Sequence, residues 1–113
     1  MNATGPDPRL RQLTIKTNVV KRISKEKLKY EEELTDLQRS LEEKKASGVD
    51  EYTIKKVCEL IDETKMVVSD CSRRLTEALS DLEGTLASCE DLSEHENYQA
   101  AKSVALEQGS GDA

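Results

Sequence analysis

The chain has 113 residues, 35% of them charged and 3% aromatic, with no Trp and no Phe. That length supports one small domain at most, and its core has to come from Leu, Ile, Val and Ala, with Tyr30, Tyr52 and Tyr98 the only aromatics. A net charge of −6 argues against nucleic acid as a main partner, because phosphate binding needs a basic surface.

Charge is unevenly distributed. Arg9 to Lys29 holds eight basic residues against one acid, Glu26, while Thr76 to Ala113 holds nine acids against Lys102. The basic stretch reads either as a solvated dipolar surface or as a contact for an acidic partner. Cys58, Cys71 and Cys89 are odd in number and show no C-x-x-C spacing. With no signal peptide and no long apolar run, the expectation is a soluble, reduced, cytoplasmic protein away from membranes.

Residues 1–6 read as a flexible tail. Asp7-Pro8 marks a helix start, since Asp caps free amides and Pro at the first helical position has no amide to lose. The helix is expected over about 8–45. Val20, Ile23, Lys27, Tyr30, Leu34, Leu37 and Leu41 alternate spacings of three and four, a heptad seam broken only by Lys27. Gly48 can end this helix and Asp50 can cap the next.

A second helix is expected over about 51–86, with Ile54, Val57, Ile61, Thr64, Val68, Cys71, Leu75, Ala78 and Leu82 as its seam. The short link makes the first two helices an antiparallel hairpin. Ser93 and Glu96 have capping-box spacing and predict a third helix over about 94–107, with Tyr98, Ala101, Val104 and Ala105 as its apolar positions. Gly109-Ser110-Gly111 then releases a flexible tail, residues 108–113. The fold class is all-α: an elongated antiparallel three-helix bundle spanning 7–107, with two long helices and a short C-terminal one. At 1.5 Å per residue, the long helices reach about 50 Å and the third about 20 Å. The third can therefore cover only the end where the first helix begins and the second ends. Leu10, Ile15 and Val19, with Leu79 and Leu86, broaden the apolar surface there.

Nothing in the sequence points to catalysis, a metal or a cofactor. His95 is the only histidine, placed two residues into the third helix, with no partners at ligand or acid–base spacing. Phosphate-cradling glycine loops and nucleophile elbows are absent. The candidate binding residues lie off the seam. Leu28, Leu60, Met66 and Val67 are apolar where the third helix cannot reach, with Lys21, Arg22, Lys25, Lys29 and Lys65 as a charged rim. Single exposed apolar residues are ordinary, but an apolar patch with a charged rim also fits a protein-binding face. The site chosen from these is Lys21, Arg22, Lys25, Leu28, Lys29, Met66 and Val67.

Several segments carry a resemblance. Asp7-Pro8-Arg9-Leu10-Arg11-Gln12-Leu13, Ile15-Lys16-Thr17, Val20-Lys21-Arg22, Glu26-Lys27 and Tyr30-Glu31 resemble the tubulin-folding cofactor A family. So do Tyr52-Thr53-Ile54-Lys55-Lys56, Glu63-Thr64-Lys65-Met66, Asp70-Cys71-Ser72-Arg73-Arg74-Leu75, Asp81-Leu82, Asp91-Leu92 and Tyr98. The ordered set covers about residues 7–105. Ser69 departs from the proline that many members carry there, and without a proline kink the second helix should run straighter. The resemblance implies a small three-helix bundle that captures quasi-native β-tubulin after release from the cytosolic chaperonin. It implies work alongside the other tubulin-folding cofactors, at the cytoskeleton, without a nucleotide. Tubulin is acidic, which would give the basic stretch a purpose. A monomer is expected, with homodimerisation through the uncovered hairpin end as the variant. The competing reading is a coiled-coil adaptor that oligomerises through its seam and has nothing to do with tubulin.

Overall fold

The computed structural model describes residues 7–110; the expected tail at residues 1–6, and Gly111 with the residues after it, lie outside them. Within the described residues the chain forms three α-helices, a single 3-10 turn and no strand. These are α1 (Pro8–Ser47), α2 (Glu51–Ala87) and α3 (Glu96–Ser110), with the 3-10 turn at Glu90–Leu92.

Local chemistry sets the first three helix ends. The Asp7 carboxylate accepts the Arg9 amide at 2.9 Å, so Asp7 caps α1 just before Pro8. At the other end Gly48 has φ 74°, which only glycine adopts without strain. Its amide donates to the Lys45 carbonyl and the Val49 amide to that of Lys44, closing α1 in a Schellman motif. Asp50 then caps α2, accepting the Thr53 amide at 2.8 Å. The helix continues through Ser69 without a break.

The start of α3 differs from the expectation. The helix begins at Glu96, and the His95 carbonyl accepts its first bond, from the Gln99 amide. Ser93 lies earlier, closing the 3-10 turn by donating its amide to Glu90, so the Ser93–Glu96 capping box does not open the helix. His95 is exposed ahead of α3 rather than inside it. The cause is tertiary: Cys89 and Leu92 are buried, and seating both winds Glu90–Leu92 into a turn of its own. At its far end α3 reaches Ser110 instead of stopping near 107, and Gln108 there accepts a 2.8 Å hydrogen bond from Ser24 of α1.

The chain divides into two compact units. One comprises the residues up to 24 together with those from 74 onward; the other is Lys25–Arg73. The first unit holds a three-helix core. Leu10, Leu13, Val20 and Ile23 of α1 meet Leu75, Leu79, Leu82 and Leu86 of α2, and Tyr98, Ala101 and Ala105 of α3 close over them. Leu13, Leu82 and Ala101 are wholly buried. Val19 packs at the margin, whereas Ile15, expected in this apolar surface, is 44% exposed. Thr17 is the buried polar residue of this core, and its hydroxyl donates to the Leu13 carbonyl at 2.6 Å.

The second unit is a two-helix hairpin with a thinner core. Val57, Ile61 and Cys71 are buried, while Tyr30, Leu34, Leu37, Leu41, Ile54 and Val68 are half-buried. A two-helix pair covers one stripe of each helix and leaves both flanks in water.

Candidate functional site

All seven candidate residues are exposed. Lys21 and Arg22 belong to the first unit; Lys25, Leu28, Lys29, Met66 and Val67 belong to the hairpin unit. Within the hairpin, helical phase separates the five. Met66 stands about half a turn from the α2 seam and Leu28 about a third of a turn from the α1 seam. Seam rows face each other in a hairpin, so these two side chains point away from one another. Their exposures, 57% and 72%, agree.

Val67 differs. It sits on the flank of α2, 39% exposed, one heptad beyond Leu60 at 48%. Lys29 stands as far from the α1 seam as Leu28 but on its other side, the side of Val67, and is as far from Gly48 along the chain as Val67 is. Lys29, Val67 and Leu60 therefore share one side of the hairpin, with Lys29 level with Val67. The Lys29 ammonium lies 5.7 Å from the centre of the Tyr30 ring, an attraction that restrains it beside the seam. Leu60 was visible in the sequence as an off-seam residue, and its seven-residue spacing from Val67 is the signal that pairs them. Tyr52 is also exposed in this unit, with the Lys56 ammonium 5.4 Å from its ring centre.

In the first unit the polar groups act as clasps. Arg9 forks between Asp7 and Asp91, with its Nη2 2.8 Å from a carboxylate oxygen of each. Hydrogen bonds from Arg9 hold the Asp7 carboxyl down at about 2, and that of Asp91 is lowered for the same reason. Lys16 bridges to Asp81 and Thr85, and Asn97 donates to Thr14 at 2.8 Å, both tying α1 to its neighbours. These groups are partnered and structural.

Among the described residues no group of three or more His, Cys, Asp or Glu is placed to hold a metal ion. Among the same residues no helix is long and apolar enough to cross a membrane. Cys58, Cys71 and Cys89 are free thiols, the last two buried. What the arrangement offers is surface: an apolar flank beside a cation on a helical pair.

Comparison with known proteins places this surface in context. The family profile of tubulin binding cofactor A matches residues 8–105. "Tubulin-specific chaperone A" from Gallus gallus is 46% identical over 98 residues, covering 87% of this chain and 91% of that one. The solved structure of human tubulin chaperone cofactor A superimposes with a TM-score of 0.81 at 39% identity, covering 90% of this chain and 99% of its own. That of tubulin folding cofactor A from Arabidopsis thaliana gives a TM-score of 0.83 at 35% identity, over 88% and 94% of the two chains.

Proposed function

The chain belongs to the tubulin binding cofactor A family, and on that premise we propose that it captures quasi-native β-tubulin released from the cytosolic chaperonin. It would hold that subunit on the route to the αβ heterodimer, working in the cytoplasm as a monomer beside the other tubulin-folding cofactors. The observation that carries the reading is the match across nearly the whole chain, in sequence and in fold, to proteins named for tubulin folding. The Schellman stop at Gly48 supports it against a long coiled-coil adaptor, whose heptad would run on without a turn.

The mechanism is capture by surface, with no bond made or broken. In the hairpin unit, Val67 and Leu60 supply apolar area and Lys29 a charge that attracts an acidic partner. Lys25 extends the cationic character along α1; Leu28 and Met66 serve a partner only if it reaches round the hairpin. Charge then governs the rate of encounter and burial governs the rate of release.

The test presents the protein separately with β-tubulin freshly released from chaperonin and with α-tubulin, and reads complexes by native gel. A complex with β-tubulin alone is the expected result. Equal retention of α-tubulin, or retention of neither, would overturn the reading.

A further inference from the structure

In the first unit a groove of about 580 Å³ runs beside α3, lined by Glu90, Ser93, Tyr98, Lys102 and Leu106 among others. Lys102 is the one Lys or Arg between residue 76 and the chain end, and it forms no ion pair among the described residues. Ser93 is exposed at the same groove, in the turn between the 3-10 segment and α3.

Five serines carry an acid three residues on: Ser40, Ser47, Ser80, Ser88 and Ser93. Acidic-directed kinases read that spacing, and they need the acceptor on backbone that can lie extended in their cleft. Ser40 and Ser80 are inside α1 and α2, which excludes them. Ser47 ends α1 behind Lys44 and Lys45, the wrong charge for such an enzyme, and its hydroxyl donates to the Lys44 carbonyl. Ser88 donates to the Thr85 carbonyl at the end of α2 and adjoins buried Cys89. Ser93 lies outside the helices and has acids close on both sides, Glu90 and Asp91 before it and Glu94 and Glu96 after it. Its hydroxyl makes no hydrogen bond among the described residues.

We propose that Ser93 is the phosphoacceptor of an acidic-directed serine/threonine kinase, and that its phosphate is held by Lys102 across the groove. In the transfer, the Ser93 Oγ attacks the γ-phosphorus of ATP. The Oγ–P bond forms, the bond to the β–γ bridging oxygen breaks, and ADP leaves with that electron pair. The hydroxyl proton passes to the kinase's catalytic carboxylate. A phosphoserine adds about −1.5 to −2 charges and three acceptor oxygens. Among Glu90, Asp91, Glu94 and Glu96 that charge is repelled, and Lys102 is the cation that lines the same groove. The inference does not depend on the tubulin reading.

The experiment incubates the intact chain with a purified casein-kinase-type enzyme and MgATP, and locates phosphate by fragmentation mass spectrometry. Phosphate on Ser93, absent from the Ser93→Ala variant, is the expected result. No incorporation, or incorporation at the other four serines instead, overturns the site. A second arm compares melting before and after phosphorylation in the parent and in Lys102→Gln. Phosphorylation should lower the melting temperature more in Lys102→Gln; equal shifts would overturn the part given to Lys102.

Discussion

Leu82→Ala tests the three-helix core at its best-sealed point. Leu82 is 0% exposed, and the cluster around it draws side chains from α1, α2 and α3. Removing three buried carbons forfeits about 2.4 kcal/mol at about 0.8 per methylene. Walls supplied by three helices cannot all close in, so a residual void on the order of 50 Å³ adds about 1 kcal/mol more. The sum, about 3 to 4 kcal/mol, is a large share of the roughly 5 to 15 available to a small domain. Urea unfolding followed by far-ultraviolet circular dichroism measures it, and the midpoint should fall with little change in slope. A loss below about 0.5 kcal/mol, the usual scale of surface substitutions, would mean that the seam of α2 does not face this core.

The other predictions concern ends, pH and the partner face. Gly48→Ala forces a left-handed φ of 74° on an L side chain and should cost about 1 to 2 kcal/mol in the same melts, with no steric contact to blame; Asp50→Ala should lower the melting temperature through loss of the α2 cap. The Asp7 carboxyl, ordinarily at 3.8, is held at about 2 when folded, so its contribution is complete above the ordinary value and is lost as pH falls through about 2. Arg9→Gln should flatten stability over that acid window and leave neutral-pH titrations of other groups alone; an unchanged acid limb would refute the clasp. Val67→Ala with Leu60→Ala should speed release of β-tubulin, Lys29→Glu should slow association and alter its salt dependence, and Met66→Ala should do little. A large effect of Met66→Ala alone, in surface-plasmon kinetics, would put the contact on the outer side of α2 instead.

What was legible in the sequence was what local chemistry decides. Asp7-Pro8, Gly48 and Asp50 act through bonds to residues within five of themselves, so the ends of α1 and the start of α2 could be read directly. The seam was legible because a three-four period repeats over many turns; every seam residue from Val20 to Leu41 and from Ile54 to Leu82 is buried or half-buried. The two ends of α3 were not legible. Burial of Cys89 and Leu92 and the reach of Gln108 to Ser24 are long-range contacts that no local spacing encodes. Ile15 shows the same limit: it neighbours apolar residues in the chain, but its helical phase turns it outward.

The candidate face was half legible for the same reason. Antiparallel pairing about Gly48 puts Leu28 near the height of Met66 and Val67, but height along a hairpin is one coordinate and angle about each helix is the other. Angle turns Leu28 and Met66 away from one another and leaves Val67 and Leu60 on a flank, with Lys29 on the same side of the hairpin. A flank is where a partner gains most. An outer-side residue meets a partner as a single knob, whereas a flank lies beside the groove between two helices, and a partner seated there buries side chains of both at once. Leu60 at 48% and Val67 at 39% already lose part of their solvent contact to the neighbouring helix. Less remains to desolvate, and the walls that receive a partner's side chain are already in place, so less ordering is needed on binding. For this hairpin, then, the residues that matter most to capture should be the less exposed of its apolar surface residues, and ranking them by exposure alone would choose Met66 first.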